Sequence, residues 1–364
     1  PDPAQMDKAQ AEITKLSSDT PRRYRDYREL LSKERPDIAI VATPDHWHAL
    51  PTIDAVKSGA HVYVEKPISH TIDEGKAMVR AARESGRMIQ VGLHRRLTPH
   101  GLEAMEFLKS GKLGKVGMVR VFANSAGGVG KKVEDSDPPA GMDWDLWLGP
   151  APKRPFNKAI HPRGFRQFLD YANGTLGDWG VHWLDQVLWW TEETHPKNVF
   201  STAGRFVRVD STDAPDTQIV TYDFDRFRCT WEHRHYAGQG PENHMIGAYF
   251  YGTNGVFHLG FRDGWTYYPT KKGDQVLHKD ARLNDPDGQN IKELWADFLE
   301  SIRTKRLPIR DIEIGYRATA ASLLGMVSAR LGRSVRWDGR QCVGDAEANK
   351  LLRREYRAPW QYPS

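Results

Sequence analysis

Residues 37–45 read Asp-Ile-Ala-Ile-Val-Ala-Thr-Pro-Asp, an apolar run that stops at a threonine and a proline. Such a run is typical of a parallel strand that helices cover on both faces. A helix over about residues 48–58 follows the run and ends at Gly59, which suits a left-handed cap. The stretch therefore predicts the first strand and helix of a parallel α/β unit.

Two more strands and another helix continue this pattern. Residues 61–64 and 88–92 are short apolar runs, and Thr71 with Glu74 forms a capping box for a helix that runs to Gly86. Strand, helix and strand at these spacings predict a doubly wound parallel sheet with right-handed crossovers. Two helical patterns precede it, at residues 4–18 and 24–33.

The pattern changes after residue 114. Residues 127–166 are rich in loop-forming residues, and helical periods then recur at 294–303 and 312–331. Alternating segments typical of antiparallel strands lie at 217–224, 227–235, 249–251, 256–261 and 265–268. We therefore expect an α/β protein with two domains. Residues 1–118 would form a Rossmann-like doubly wound sheet lacking its first elements, and residues 119–364 an α+β domain with a large, mainly antiparallel open sheet.

Composition excludes several classes of protein. The 364 residues carry 52 Lys and Arg against 47 Asp and Glu, and the net charge of +5 is spread along the chain, which argues against a nucleic-acid partner. No apolar run approaches the ~18 residues that cross a bilayer, so no membrane partner is expected. The two cysteines, Cys229 and Cys342, have neither disulfide-framework nor zinc spacing.

One candidate site follows the second strand, at Glu65-Lys66-Pro67. Open α/β sheets bind their ligands at the carboxyl ends of the strands, so Lys66 is a candidate for the ligand crevice. A lysine in an ordinary solvated loop is the alternative.

A second candidate site lies within residues 174–185. In a regular helix Asp178, His182 and Asp185 share one face, and a carboxylate one turn from an imidazole suits acid-base chemistry, with Asp178 orienting His182. The alternative is a plain hydrogen bond on a helix surface.

Other polar residues give weaker indications. The group His94-Arg95-Arg96 follows the third strand, where guanidinium groups could hold hydroxyls or a carboxylate, although a solvated basic loop explains it equally well. His46 and His48 lack the further ligands that a metal needs, so we expect no metal site. The tryptophans of the middle segment are core residues by default, and one of them could stack on a sugar.

Five motifs together resemble the Gfo/Idh/MocA family of NAD(P)-dependent sugar oxidoreductases. They are residues 42–48 (Ala-Thr-Pro-Asp-His-Trp-His), 65–67 (Glu-Lys-Pro), 90–92 (Gln-Val-Gly) with Arg96, 143–150 (Asp-Trp-Asp-Leu-Trp-Leu-Gly-Pro) and 177–182 (Gly-Asp-Trp-Gly-Val-His). The resemblance implies an N-terminal Rossmann domain and a C-terminal α/β domain whose open sheet often builds the oligomer. A homodimer or homotetramer is therefore expected.

The resemblance also implies the roles of individual residues. The cofactor, NAD or NADP, would contact Thr43, Pro44, His48, Glu65, Lys66, Pro67 and Gln90. Lys66 would be the catalytic lysine, and Asp178 and His182 would complete the catalytic set. The carbohydrate substrate would contact His94, Arg96, Arg166 and Trp179.

In one respect this sequence departs from the family. The Gly-rich first turn and the acidic residue that holds the adenine ribose have no counterpart in it, and Asp2-Pro3 resembles the segment after the family's second strand. We therefore expect the natural chain to extend upstream of Pro1. Its compartment stays open, cytoplasmic or, with an export signal upstream, periplasmic.

The leading hypothesis is a bacterial oxidoreductase that moves a hydride between a secondary alcohol of a sugar or cyclitol and NAD(P). One alternative is a glycoside-cleaving enzyme that oxidises its substrate only transiently and then eliminates the aglycone. Another is a sugar-binding protein without redox activity.

Overall fold

The computed structural model describes residues 1–238 and 243–363. Its N-terminal third alternates helices with short parallel strands. These elements are α1 (Pro3–Ser17), α2 (Tyr27–Glu34), β1 (Ile38–Val41), α3 (Ala49–Lys57), β2 (His61–Val64), α4 (Ile72–Ser85), β3 (Ile89–Val91) and α5 (Pro99–Lys109).

The rest of the chain forms a large sheet with helices on one side. Its first elements are β4 (Val116–Asn124), β5 (Asp135–Ser136), α6 (Trp144–Leu148), β6 (Phe156–Asn157), α7 (Val181–Thr191), β7 (Asn198–Gly204), β8 (Thr217–Asp223) and β9 (Arg228–Arg234). They are followed by β10 (Ile246–Gly252), β11 (Gly255–Gly260), β12 (Trp265–Pro269), β13 (Leu277–Lys279), α8 (Pro286–Gln289), α9 (Ile291–Thr304), α10 (Ile312–Leu331), β14 (Val335–Arg336) and α11 (Ala346–Lys350).

The first sheet is parallel, in the order β1-β2-β3. Val41 lies opposite Val64, which in turn lies opposite Val91, so all three strands end at the same edge. The segments that follow the strands are therefore brought together there. Strand β1 is an outer strand of the sheet, and its Ile40 side chain is 62% exposed.

The second sheet has the order β13-β12-β11-β10-β4-β9-β8-β7-β14, with β4 and β9 parallel. Helices α7 and α10 pack on one face, where Val220, Tyr222 and Trp231 are buried. The opposite face carries the alternate residues, among them Ile219 at 52% exposure, because successive side chains of a strand point to opposite sides. This second surface is called the open face below.

Helix α10 joins the two sheets. It packs against α4 as well as against α7 and β7, and just before it the amide of Val91 donates to the carbonyl of Arg310 at 2.9 Å. At Gly315 a Cβ would lie 2.7 Å from Val91 Cγ2 and 2.9 Å from Ile68 Cγ2. The absence of a side chain at Gly315 therefore lets α10 approach the end of β3 closely.

The predicted fold class is confirmed, a parallel sheet followed by a large mostly antiparallel one. The β8–β9 hairpin and the end of α10 at Gly332 lie where the sequence predicts them. Helix α2 begins three residues later than predicted, because the Asp26 side chain caps it by accepting from the Arg28 amide. The predicted division at 118/119 falls inside β4, so the sheet places the boundary before Val116.

Among the described helices, none has the length and apolar character needed to cross a membrane.

Candidate functional site

The site begins where β1 and β2 end. Thr43 and Pro44 follow β1, Glu65 and Lys66 follow β2, and the His48 imidazole lies between the two segments. Its ring nitrogens lie 2.7 Å from the carbonyl oxygens of Pro67 and Thr43. His48 is buried, so it holds these two segments together beneath the crevice.

Lys66 reaches across the crevice to the second domain. Its Nζ donates to the Asp178 carbonyl oxygen at 2.9 Å and to Asp178 Oδ1 at 2.5 Å, and Arg166 Nε lies 3.4 Å from the same Oδ1. Burial alone would raise the pKa of Asp178, but the positive charges of Lys66 and Arg166 hold it below its ordinary value. Asp178 is therefore a carboxylate that anchors the Lys66 ammonium.

The local helix geometry explains why Asp178 does not reach His182. Leu176–Gly180 is a π-helical turn that precedes α7, and its wider turn moves Asp178 off the line expected for positions four apart in an α-helix. The structure gives Asp178 bonds to Lys66 and none to His182. The expected contact between Asp178 and His182 is therefore not formed within the described residues, and Asp178 binds Lys66 instead.

His182 is a buried imidazole with an unused nitrogen. Its side chain sits in the first turn of α7, and its Nδ1 has no hydrogen-bond partner within the described residues. Burial, followed by the positive charges of Arg95 and Lys66 and by His94, lowers its pKa well below the ordinary value. A histidine in this state is neutral at pH 7 and can accept a proton.

Arg95, which the sequence places with His94 and Arg96 after the third strand, lies among three aromatic side chains. Its guanidinium carbon lies 5.4 Å from the ring centre of Trp179, 4.7 Å from Trp183 and 4.6 Å from Phe261. These three aromatic side chains surround the cation and hold its charge close to His182. Phe261 is more than 160 residues away in sequence, so local spacing gave no signal for this cage.

Two predicted contact residues lie elsewhere. The Arg96 guanidinium is buried against the Asp185 carboxylate, with Nη2–Oδ1 at 2.5 Å and Nε–Oδ2 at 2.9 Å, so it is not free to contact a substrate. Gln90 is fully buried within β3 and donates to the Leu294 carbonyl at 3.1 Å, which keeps its side chain away from a cofactor. Both residues belong to the motif at 90–92 with Arg96, but in this structure their buried side chains contact other residues of the chain.

The remaining predicted substrate contacts lie around the crevice. The Arg166 side chain is 40% exposed beside Asp178, and Trp179 is half-buried with its ring 5.6 Å from that of Phe261. His94 is buried, and its carbonyl oxygen accepts from Asn290 at 2.6 Å. The structure thus brings His94, Arg166 and Trp179 near His182 or Asp178, whereas Arg96 is committed to Asp185.

A second carboxyl group belongs to Asp45. The sequence shows this residue only as part of the motif at 42–48, and its role as a titrating group was not predicted. It is buried at the start of a short 3-10 turn directly after Pro44. Burial and then the negative charge of Asp178 raise its pKa to about 7. Asp178 is therefore ionised, whereas Asp45 exchanges its proton near neutrality.

The residues after β1 and β2 fit the nicotinamide end of a dinucleotide. The Glu65 carboxylate accepts a hydrogen bond from the Tyr63 hydroxyl at 3.1 Å. A Cβ at position 92 would lie 2.8 Å from both carboxylate oxygens of Glu65, so Gly92 leaves room for that side chain. A carboxylate in this position can accept from ribose hydroxyls. A cavity of about 870 Å³, lined by residues that include Thr43, Pro44 and Arg166, extends from this edge along β1.

His46 and His48 do not converge on a common point. His46 Nε2 lies 3.1 Å from the Trp147 carbonyl oxygen, whereas His48 contacts Thr43 and Pro67. Their spacing two residues apart serves two different main-chain contacts.

Comparison with known families agrees with this architecture. Residues 4–93 match the description "Oxidoreductase family, NAD-binding Rossmann fold", and residues 115–362 match "Oxidoreductase family, C-terminal alpha/beta domain". The chain belongs to the Gfo/Idh/MocA oxidoreductase family. This membership confirms the resemblance inferred from the motifs, and the family describes the domain matched by residues 4–93 as NAD-binding.

Curated relatives in the family include sugar dehydrogenases. Levoglucosan dehydrogenase of Pseudarthrobacter phenanthrenivorans is 29% identical over 164 residues, which cover 44% of this chain and 34% of that protein. D-glucoside 3-dehydrogenase of Escherichia coli is 22% identical over 307 residues, which cover 80% of this chain and 76% of that protein. The chain thus aligns with only about a third of the levoglucosan dehydrogenase sequence.

Among solved structures, levoglucosan dehydrogenase in complex with NADH and levoglucosan has a TM-score of 0.69 to this chain at 18% identity. The match covers 90% of this chain and 87% of that one. At this identity the likeness concerns the fold, and both domains take part in it.

Proposed function

We propose that this chain carries the reacting groups of an NAD(P)-dependent dehydrogenase that oxidises a secondary alcohol of a sugar or cyclitol. The observation that carries the proposal is the contact between Lys66 Nζ and Asp178 Oδ1 at 2.5 Å, near the neutral His182, whose Nδ1 has no partner among the described residues. A fixed ammonium group next to a proton acceptor is the arrangement that oxidation of an alcohol requires.

The cofactor would lie against the segments that follow β1 and β2. Thr43 and Pro44 would line one side of the nicotinamide end, and Glu65 would accept from ribose hydroxyls. A bound NAD(P)+ supplies the acceptor for the hydride that leaves the alcohol carbon. The Gly-rich turn that would hold the pyrophosphate is not part of this sequence, so we assign only the nicotinamide end.

Three side chains divide the remaining work. His182 accepts the hydroxyl proton as the carbon–hydrogen bond gives up its hydride, which leaves a carbonyl group on the substrate. Lys66 stabilises the negative charge that develops on the oxygen. Asp178 keeps the ammonium of Lys66 in place, a positioning role supported by the two contacts between them.

The substrate class is supported by the walls of the crevice and by the relatives. Trp179 offers an aromatic surface beside the polar groups, which suits a sugar ring, and Arg166 at the rim can donate to hydroxyls. The names of the relatives include levoglucosan dehydrogenase and D-glucoside 3-dehydrogenase, both of which concern carbohydrates.

The test is a spectroscopic assay at 340 nm with NAD+ and NADP+ and a panel of anhydrosugars, glycosides and inositols. We expect reduction of the cofactor with at least one substrate, and its loss in Lys66→Met. Product analysis without added cofactor covers the glycoside-cleaving alternative, in which an aglycone appears without net NAD(P)H. The proposal would be contradicted if protein that binds NAD(P)H, as measured by fluorescence, reduced neither cofactor with any substrate of the panel.

The assembly of the chain belongs to the same proposal. The open face carries exposed Met118, Phe200 and Ile219 on β4, β7 and β8. Apolar residues among polar ones on an otherwise regular sheet suit contact with a second copy. A homodimer or homotetramer formed through the open face is therefore the expected state.

A further inference from the structure

A cluster of metal-ligand side chains lies at the end of the open face, outside the crevice. His258 is on β11, His244 lies two residues before the start of β10, and Asp263 lies in the turn between β11 and β12. One potential ligand atom from each of the three lies within 4.8 Å of the others. None of these residues has a part in the proposed dehydrogenase chemistry.

The central residue of this cluster is fully buried and uses neither of its ring nitrogens. His258 has 0% exposure, and both Nδ1 and Nε2 lack a hydrogen-bond partner among the residues that the structure describes. A buried imidazole normally finds at least one partner, because leaving a polar nitrogen unsatisfied costs about 1–3 kcal/mol. The two ring nitrogens of His258 are therefore available to bind a ligand.

The other two residues lie directly beside it. The rings of His244 and His258 stack with centroids 3.8 Å apart, and His244 Nδ1 contacts Asp263 Oδ2. The carboxylate of Asp263 and the two imidazoles are therefore already adjacent. Two imidazoles and one carboxylate form a donor set that suits zinc and similar divalent transition metals.

Two paired glycines make room for the cluster. Gly247 on β10 lies opposite Gly260 on β11. A Cβ at Gly247 would lie 3.0 Å from His258 Nε2, and a Cβ at Gly260 would lie 2.3 Å from Asp263 Oδ1. Any larger residue at either position would displace one of the candidate ligands.

From these observations we propose that His244, His258 and Asp263 form a binding site for one Zn²⁺ ion per chain. Tetrahedral zinc with bonds of about 2.0–2.1 Å needs its ligand atoms roughly 3.4 Å apart, so the two stacked imidazoles must turn until a nitrogen of each ring points at the ion. The two imidazoles bind as neutral ligands and Asp263 supplies the negative charge.

The position of the site gives it a structural role. Asp263 belongs to the same turn as Phe261, whose ring packs on Trp179 and on the Arg95 guanidinium. A zinc ion bound to Asp263 and His258 fixes this turn to the sheet and thereby holds one wall of the Arg95 cage. This inference does not depend on which alcohol, if any, the crevice oxidises.

The test is titration of metal-free full-length chain with Zn²⁺ by isothermal calorimetry, and with Co²⁺ by visible absorption. We expect one ion per chain, visible Co²⁺ bands typical of a nitrogen and oxygen site, and a higher unfolding temperature with Zn²⁺. Asp263→Asn and His244→Ala should each weaken binding about tenfold or more, since each removes one of three ligands.

The matched control is His278→Gln. His278 lies on neighbouring β13 next to Asp280 but outside the cluster, so this variant should bind Zn²⁺ like the parent chain. Circular dichroism of each metal-free variant checks that it is folded. The assignment would be overturned if the parent chain bound no stoichiometric Zn²⁺. It would also be overturned if the folded Asp263→Asn and His244→Ala variants bound Zn²⁺ as tightly as the parent chain does.

Discussion

Lys66 and Arg96 form two ion pairs of the same length that serve different purposes. Lys66 contacts Asp178 and Arg96 contacts Asp185, each at 2.5 Å, but the Asp178 side chain is 18% exposed at the crevice whereas the Asp185 side chain is only 2% exposed. A cation in contact with a crevice can act on a bound molecule. A cation enclosed with its partner contributes to folding instead.

We therefore predict opposite outcomes for their replacement. Lys66→Met should lower kcat about 10²–10³-fold, because it removes a charge placed to stabilise the alkoxide, with a fall in Tm of only a few degrees. Arg96→Met should instead destabilise the chain by about 3–5 kcal/mol, since it leaves the Asp185 charge buried without its partner. Kinetics and urea unfolding of both variants check this, and a Lys66→Met protein with full kcat would contradict the catalytic role.

Arg95 should control the protonation of His182. Burial, Arg95, Lys66 and His94 all lower the pKa of His182, so the imidazole stays neutral down to acidic pH. In Arg95→Met one of these positive charges is lost, the pKa of His182 rises, and the acidic limb of kcat against pH moves to higher pH.

The control for this prediction is Arg166→Met. Arg166 lies beside Asp178 and is not among the groups that lower the pKa of His182, so its loss should leave the acidic limb in place. An acidic limb that stays unchanged in Arg95→Met, measured at saturating substrate, would show that another group sets the pH dependence.

Asp45 should make the chain less stable as the pH rises. Its pKa is about 7 in the folded chain against an ordinary value of 3.8, so between these values the folded state binds more protons than the unfolded state. Stability from this group is therefore complete below pH 4 and declines as the pH rises toward 7. Asp45→Asn removes this titration.

The measurement is Tm of both proteins across pH 4–8. The Tm of the variant minus the Tm of the parent should grow more positive as the pH rises. In the parent Asp45 loses its proton over this range, which places a second negative charge beside Asp178. Other groups titrate equally in the two proteins and cancel in the difference. A constant difference over this range would mean that Asp45 keeps an ordinary pKa.

At the scale of elements, strands and hairpins could be predicted well because their patterns are local. The alternation at 217–235 reflects strands buried on one face, which the sequence displays directly, whereas the apolar run at 37–42 forms an outer strand whose Ile40 is 62% exposed. The π-helical turn at Leu176–Gly180 leaves no such pattern, so the expected alignment of Asp178 with His182 failed. The cage around Arg95 and the pairing of Arg96 depend on residues distant in sequence, which periodicity does not reveal.

Helix α10 gives a prediction at this scale. Replacing Gly315 by alanine would gain at most about 1 kcal/mol in helix propensity. The new Cβ would meet Val91 and Ile68 at under 3 Å, and overpacking of this kind costs about 1–3 kcal/mol. We expect the clash to prevail, so that Gly315→Ala lowers the urea midpoint. An unchanged or raised midpoint would show that α10 can shift away from β3 without cost.

At the scale of the whole molecule, the open face presents exposed apolar side chains on several strands of one sheet. Met118, Phe200 and Ile219 are 40%, 39% and 52% exposed on strands of one sheet, and Tyr268 on β12 adds 43%. The same face carries the ion pair of Arg120 with Glu232 at 2.6 Å, so it is neither uniformly apolar nor uniformly charged. Mixed surfaces of this kind are typical of contacts between protein chains.

Light scattering at micromolar concentration should therefore give a mass of two or four times 41.4 kDa. Ile219→Glu places a charge on this surface and should shift the mass toward the monomer, because a buried unpaired carboxylate costs several kcal/mol at an interface. Leu16→Glu is the control, since Leu16 is an exposed apolar residue on α1 and not on the strands of the open face, and its replacement should leave the assembly intact. A parent chain of 41.4 kDa, or an Ile219→Glu variant with the parent's mass, would mean that the open face does not hold copies of the chain together.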